Sequence, residues 1–356
     1  MTKPMRSILS AAGATNGASN RAPNKLGNAA LLAGLGLAAS FLYVRAKSKQ
    51  AEREYPPHGK FITVDGVRLH YVERGQGPAL VLLHGNQVFS GDYEQAGLVE
   101  RAAGRYRVIV FDRPGFGYSD RPRGTLWTPQ AQARLLLHAL QEIGVDSALV
   151  VGHSWGTMVA LALALEAPDF VRALVLLSGY YYPSLRLDVP MMAPPAIPLI
   201  GDLLRYTILP IIQRLAFPLT AKRMFAPQRV PERFRAMPPW LLLRPKQLRA
   251  SAAESALMVP AAMMLSRHYQ ELKVPAAIIH GTRDLMADFG HNSERLHERI
   301  EHSVLELEPG VGHMTHYAHP EKVMEAIDAM AAQVGEPVPI RSPRAEALAR
   351  ASESGV

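Results

Sequence analysis

The sequence predicts an α/β protein: a mostly parallel eight-stranded sheet with helices on both faces and a helical lid inserted after the sixth strand. Three observations carry this. Short, wholly apolar runs recur along the chain, as strands covered on both faces require. Helix-patterned segments separate them, which calls for parallel pairing through crossover connections. The alternation breaks once, at residues 185–272, where Pro, Met, Leu and Arg abound and prolines separate helical pieces.

The elements follow in order. Phe61–Val64 and Val67–Val72 flank Asp65-Gly66, the signature of a hairpin with a tight turn. Ala79–Leu83 and Val108–Phe111 are apolar throughout and read as buried strands. Thr128 is placed to cap a helix that begins at Pro129 and ends near Ile143. Ala148–Val151 is the next strand, followed by a helix whose Met158–Leu165 stretch is apolar all round and therefore buried. Val171–Leu177, Ala276–Ile279 and Val304–Leu307 complete the strands, and a last amphipathic helix runs from near Pro320 to about Val334. The core is thus expected at 58–184 and 273–335, with 185–272 as the lid and 336–356 as a disordered polar tail. No internal repeat is present.

The 356 residues are ample for one such core with additions. The absence of cysteine removes disulfides, cysteine zinc sites and a cysteine nucleophile. The net charge of +8 is concentrated in two places, residues 1–60 and 185–272, each at +7, which leaves the remainder at −6. A uniformly basic nucleic-acid binder would not be built this way, and no basic stretch is interleaved with aromatics in a nucleic-acid motif. An anionic membrane surface is the better partner for two basic patches.

Residues 1–28 are small and polar and expected to be disordered. Residues 29–44 carry no charge, end close to Tyr43, and are followed by Arg45, Lys47, Lys49 and Arg53. A spanning helix needs about 17–25 apolar residues; counted with Gly27 and Asn28 the run just meets this, so it is expected to be a single membrane anchor, with 45–57 as a linker. A cleaved signal peptide and an interfacial helix are the alternatives. The long polar stretch before the run and the lack of a small-x-small site after it weigh against the signal peptide.

The chemistry is carried by Gly152-His153-Ser154-Trp155-Gly156, which follows a strand and opens a helix. In that context a serine between glycines occupies a strained strand-to-helix turn that lifts its hydroxyl clear of the sheet. The helix N-terminus beneath it favours developing negative charge. A serine hydroxyl needs a base, and the base an orienting acid, in the chain order Ser, acid, His. His313, between the last strand and the last helix, is the natural base, with His316 and His319 as competitors. Asp284, in His280-Gly-Thr-Arg-Asp284, is the natural acid, with Asp288 as competitor. His280, His70 and His153 read as packed or hydrogen-bonding residues. His84-Gly85-Asn86-Gln87 follows a strand where a loop should supply one oxyanion-hole donor, so the backbone N–H groups of Asn86 and Trp155 are assigned that role. The loop Asp112–Asp120, with its Pro-Gly pair, reads as structural. No His and carboxylate spacing points to a metal, and no cofactor is required.

These motifs, His84-Gly85-Asn86, Asp112-Arg-Pro-Gly115, Gly152–Gly156, Gly281 with Asp284, and Gly312-His313, fall in the order typical of α/β-hydrolase fold enzymes. The likeness covers roughly residues 58–335 and is similar to the lidded branch that holds esterases, haloperoxidase-like perhydrolases, carbon–carbon bond hydrolases, epoxide hydrolases and haloalkane dehalogenases. Asn86 and Trp155 also resemble the halide-binding pair of the dehalogenases. Those enzymes and the epoxide hydrolases use an aspartate nucleophile where this chain has Ser154, so the resemblance implies serine chemistry instead. The family's usual proline after His-Gly-x is Gln87 here. The implied activity is hydrolysis of a carboxylic ester or related acyl compound, small and hydrophobic, with Met191, Met192, Trp240, Leu241–Leu243, Met258, Met263 and Met264 as candidate pocket residues. Carbon–carbon bond hydrolysis, acyl transfer and perhydrolysis use the same triad. A catalytically silent ligand-binding member is the non-enzyme alternative.

Overall fold

A computed structural model describes residues 25–185 and 193–336. Eight strands form one sheet in the order β1-β2-β4-β3-β5-β6-β7-β8. They are β1 Lys60–Val64, β2 Val67–Arg74, β3 Ala79–Leu83, β4 Arg107–Phe111, β5 Ala148–His153, β6 Val171–Leu177, β7 Ala276–Gly281 and β8 Ser303–Glu308. The pairings β1–β2 and β2–β4 are antiparallel and the remaining ones parallel. Asp65 and Gly66 both take positive φ, 51° and 74°, as a two-residue hairpin turn demands.

Alternation along the strands sorts the core into two layers. Val81, Leu83, Ile109, Phe111, Val150, Leu174, Leu176 and Ile278 face one side and pack on α4 (Pro129–Glu142) and α5 (Trp155–Glu166). Leu80, Leu82, Val108, Val110, Val151, Val175 and Leu177 face the other and pack on α3 (Leu98–Ala103) and α13 (Pro320–Gln333). Thr128 caps α4 as expected, its hydroxyl accepting from Ala131 N at 3.2 Å. Helix α5 is buried from Trp155 to Ala164, which explains its lack of a polar face. Two short helices that the sequence did not announce, α2 (Gly91–Gln95) and α3, connect β3 to β4.

Between β6 and β7 the chain leaves the sheet. It forms α6 (Ile200–Tyr206), α7 (Leu209–Phe225), α8 (Glu232–Arg235), α9 (Pro239–Leu242) and α10 (Pro245–Leu265). Residues 186–192, including Met191 and Met192, lie outside the described residues, as do 1–24 and 337–356. A third apolar cluster, with Phe225, Phe234, Met237, Leu241 and Tyr317, joins these helices to the loops above the sheet.

The N-terminal helix α1 spans Lys25–Glu54 and is long and apolar enough to cross a membrane. It differs from expectation at both ends: it begins at Lys25, inside the stretch 1–28 expected to be disordered, and it runs on past Val44. Residues 45–54 continue the helix instead of forming a linker, because they have a surface to pack on. Ala51 joins the third cluster, Glu52 pairs with Arg244 at 2.8 Å, and Tyr43 meets the ring of Trp240 at 5.7 Å.

Candidate functional site

Ser154 sits between the end of β5 and the first turn of α5 with φ 52° and ψ −119°, a conformation that non-glycine residues avoid. The flanking glycines make the turn possible. A Cβ at Gly152 would stand 2.7 Å from Gly156 O, and one at Gly156 would collide with Leu83 O of the neighbouring strand. The loop after β3 runs directly over this elbow, since a Cβ at Gly85 would lie 3.2 Å from Ser154 Cβ.

The last two loops bring together His313 and Asp284, the residues expected to serve as base and acid. His313 Nδ1 lies 2.7 Å from Asp284 Oδ2, and the Asp284 side chain is wholly buried. The carboxylate is fully engaged. Oδ2 also meets His280 Nε2 at 3.0 Å, while Oδ1 accepts from the backbone N–H of Met286 at 2.6 Å and of Ala287 at 3.1 Å. Burial by itself would raise the Asp284 pKa, but the charge of His313 and the hydrogen bonds from His280 and His313 outweigh it and hold the carboxyl below its usual range. An ionised acid bound to Nδ1 fixes the imidazole tautomer and leaves Nε2 for proton transfer. His280 is itself oriented by Ser293 Oγ at 2.6 Å from its Nδ1.

The competing residues have other work. Asp288 is exposed, and its carboxylate accepts from His291 N at 2.7 Å. His319 is partly exposed beside Glu321 at 3.2 Å. His316 is buried and bonds Asp92 at 3.0 Å. His70 pairs with Asp112 at 2.7 Å beneath the Asp112–Asp120 loop. Asp112 is held down at about 2: burial would raise it, and the His70 hydrogen bond and charge reverse the effect.

His153 sits between His313 and His316, its ring tilted against both, with ring centroids at 4.9 and 4.4 Å. Burial first, then the neighbouring imidazoles, push its pKa well below the usual value, so it is neutral. Its Nε2 lies 3.1 Å from His313 O, a bond in which the ring N–H donates and the backbone of the base is held. Asp92, His153 and His316 also form the group among the described residues whose ligand atoms lie within 4.8 Å of one another. Asp92 and His316 are bonded directly at 3.0 Å, while His153 uses its Nε2 on His313 O, so no hydrogen bond joins His153 to the other two.

The loop after β3, expected to supply an oxyanion donor, is braced from two sides. Gln87 takes φ 67°, which a proline ring could not adopt, so the family's usual residue is excluded by the backbone itself. Asn86 uses its side chain locally and on α10: Oδ1 accepts from Gln87 N at 2.7 Å, and Nδ2 donates to Ser251 O at 3.2 Å and Ser255 Oγ at 3.3 Å. That leaves the backbone N–H as the group of Asn86 assigned to an oxyanion. Trp155 is buried as the first residue of α5, where its backbone N–H has no intrahelical partner.

Sequence reasoning missed the brace beneath this loop. Arg113, fully buried, donates to His84 O at 2.7 Å, Gly85 O at 2.9 Å and Gln132 Oε1 at 3.0 Å. It also pairs with the equally buried Glu254 of α10, whose Oε2 lies 3.0 Å from its terminal nitrogen. Gln132 completes the ring by donating to Glu254 at 3.0 Å. The signal was Glu254 in the small-residue stretch Ala252-Ala-Glu254-Ser-Ala256, the one acid of its helix.

His84 carries a pH consequence. Its Nδ1–H donates to Gly85 O at 2.7 Å and its Nε2 accepts from Arg113 N at 3.0 Å, so it must be neutral. Burial, then the Arg113 charge, lower its pKa to about 3. Unfolded, it protonates near pH 6.5, so between these values the unfolded state binds the extra proton and stability rises with pH. Asp284 adds a loss in the same direction at lower pH. The melting temperature is therefore expected to hold above about pH 7 and to fall steadily below pH 6.5. Thermal scans from pH 8 to 4.5 check this, and a flat profile would refute it.

A cavity of about 130 Å³ opens beside the loop, lined by Gln87, Val88, Phe217, Met224, Leu242 and Leu248 among others. Its wall is chiefly α7, α9 and α10. Of the candidate pocket residues, Leu242 and Leu243 reach it, Met263 and Met264 are exposed, Met258 packs on the main core, and Trp240 meets α1. Met224 matters twice, since its carbonyl also accepts from His313 N at 3.2 Å.

Comparisons with known proteins agree with this architecture. The model of the alpha/beta hydrolase fold family matches residues 78–320. A haloalkane dehalogenase 2 of Mycobacterium bovis is 32% identical over 130 residues, 36% of this chain and 45% of that protein. The chain thus matches less than half the length of that relative. An uncharacterized protein of the same organism is 28% identical over 291 residues, 77% of this chain and 81% of its own. Among solved structures, a membrane phospholipase A described as a bacterial virulence factor superposes with TM-score 0.61 at 22% identity, covering 87% of this chain and 97% of the other. The epoxide hydrolase CorEH gives 0.65 at 22% identity, covering 77% and 98%. With its sheet order, its strained serine elbow and a family match over 78–320, the chain belongs to the α/β hydrolase fold family.

Proposed function

We propose that the protein is a serine hydrolase of lipophilic carboxylic esters or related acyl compounds, acting through an acyl-enzyme. The observation that carries this reading is the nucleophile position. A serine, not an aspartate, stands at φ 52° between Gly152 and Gly156, with the bonded pair His313–Asp284 supplied in the required order. Ser154 Oγ attacks the acyl carbonyl and His313 Nε2 accepts its proton. The backbone N–H groups of Asn86 and Trp155 hold the oxyanion. His313 then protonates the departing alcohol, and water attacks the acyl-enzyme by the same route. Asp284 keeps the imidazole oriented and stabilises its charged form. The helices between β6 and β7 act as the lid, and the apolar cavity beneath them takes the acyl chain.

Helix α1 serves as a membrane anchor in this reading. Its 18-residue apolar window has a mean hydropathy of 1.6, and 6% of it is buried in the protein.

The test is fluorophosphonate labelling followed by chromogenic esters of increasing acyl length. Stoichiometric labelling is expected, with kcat/KM rising from acetyl to medium chains by roughly an order of magnitude as methylenes fill the cavity. A chain that takes up no label and cleaves no ester refutes the reading.

A further inference from the structure

Exposed large apolar side chains are not scattered over this protein. Sixteen of the twenty-four among the described residues fall on α1 or on residues 197–219 of the lid. These two elements touch. Ser40 Oγ donates to Thr207 O at 3.0 Å, and the rings of Phe41 and Tyr206 lie 6.2 Å apart. On α7, Ile208 just before it and Ile212, Leu215 and Leu219 within it form one exposed stripe at helical spacing. The opposite side of the same helix, with Gln213, Phe217, Thr220 and Met224, lines the cavity.

The length of α1 says where a bilayer would lie. Residues 25–39 project from the protein with no buried side chain. At about 1.5 Å per residue they reach roughly 22 Å, short of the ~30 Å of a hydrocarbon core. The whole charge-free stretch between Lys25 and Arg45 reaches about 28 Å and does fit. Residues 40–44 must then lie within the apolar layer. These are the residues that contact Tyr206 and Thr207 of α6 and its C-terminal end, and Trp240. The lid is therefore carried about 5–10 Å into the membrane boundary, the depth an interfacial helix adopts. Exposed Arg45 and Lys49 on α1, and Arg214, Lys222 and Arg223 on α7, supply charge for anionic headgroups.

We propose that α6 and α7 lie in the leaflet where α1 enters the bilayer, and that the substrate is a membrane-resident acyl lipid that reaches the cavity past α7 without crossing water. This rests on the ester-hydrolase reading for its substrate, but the immersion itself does not.

The chain has no cysteine, so single-cysteine labels are clean. Leu203→Cys, Leu215→Cys, Leu32→Cys and Glu325→Cys, each carrying an environment-sensitive fluorophore, are placed in the full-length protein in phosphatidylcholine/phosphatidylglycerol vesicles with spin-labelled acyl chains. Quenching is expected at 203 and 215 by shallow spin labels, at 32 by deep ones, and not at 325 on α13. Absence of quenching at 203 and 215 overturns the proposal. A fluorophore at 215 that is shielded but unquenched means a second copy of the chain covers the stripe, and overturns it too. The activity arm uses Leu215→Glu/Leu219→Glu, two exposed positions that do not line the cavity. Hydrolysis of a long-chain phospholipid in vesicles is expected to fall about tenfold or more, with turnover of soluble p-nitrophenyl butyrate unchanged. Equal loss on both substrates overturns entry from the bilayer. If the wild type cleaves neither ester, the ester-hydrolase reading fails, and the quenching pattern still decides the immersion.

Discussion

Ser154→Ala is expected to lower kcat on a chromogenic ester by roughly four to six orders of magnitude and to abolish fluorophosphonate labelling. The residual rate comes from binding and from the oxyanion donors, which the substitution leaves in place. His313→Ala should lose as much, and the double variant little more, because the two act as one unit. Stability separates this from general damage. Ser154 is held at φ 52°, and such strain costs of order 1–3 kcal/mol. Ser154→Gly, which relieves that strain, is therefore expected to raise the melting temperature while remaining inactive. Labelling that persists in Ser154→Ala would move the nucleophile elsewhere. A Ser154→Gly variant less stable than the parent would remove the strain argument.

Glu254→Ala is the substitution expected to cost most stability. Glu254 and Arg113 are both fully buried, and removing one partner leaves an uncompensated charge in the interior. The usual cost is about 3–5 kcal/mol. For a domain of this size that lowers the melting temperature by roughly 6–20 °C. Activity should fall with it, since Arg113 also holds His84 O and Gly85 O of the oxyanion loop. Glu254→Gln keeps hydrogen-bonding capacity and should lose less. Arg113→Met/Glu254→Leu removes both charges and should recover stability beyond Glu254→Ala without recovering activity. Differential scanning calorimetry beside ester kinetics reads both effects. A melting temperature of Glu254→Ala within a degree or two of the parent would mean that the buried pair bears no load.

Much of the fold was legible because its signals are local. Leu80 and Leu82 face one layer while Val81 and Leu83 face the other, and an apolar run bounded by turns encodes that without reference to the rest of the chain. The Asp65-Gly66 turn, the Thr128 cap and the glycines around Ser154 are likewise set by backbone sterics within a few residues. The order of strand-end loops then pointed to Asp284 and His313, because a parallel sheet delivers all such loops to one edge. Residues 45–54 were misread as a linker. Whether a polar segment continues a helix depends on what it packs against, here Arg244 against Glu52, nearly two hundred residues away.

The strand pattern, the serine elbow and the order of the polar groups at the strand ends are written locally in the chain, since each rests on steric or periodic constraints that act over a few residues. Three features came only from folding. It paired Arg113 with Glu254 beneath the loop after β3, set His153 between His313 and His316, and docked α1 against the apolar helices between β6 and β7. Their physical reason is common. A buried charge or an apolar face is stable only when its partner is present, and those partners come from segments whose spacing along the chain carries no signal of their meeting.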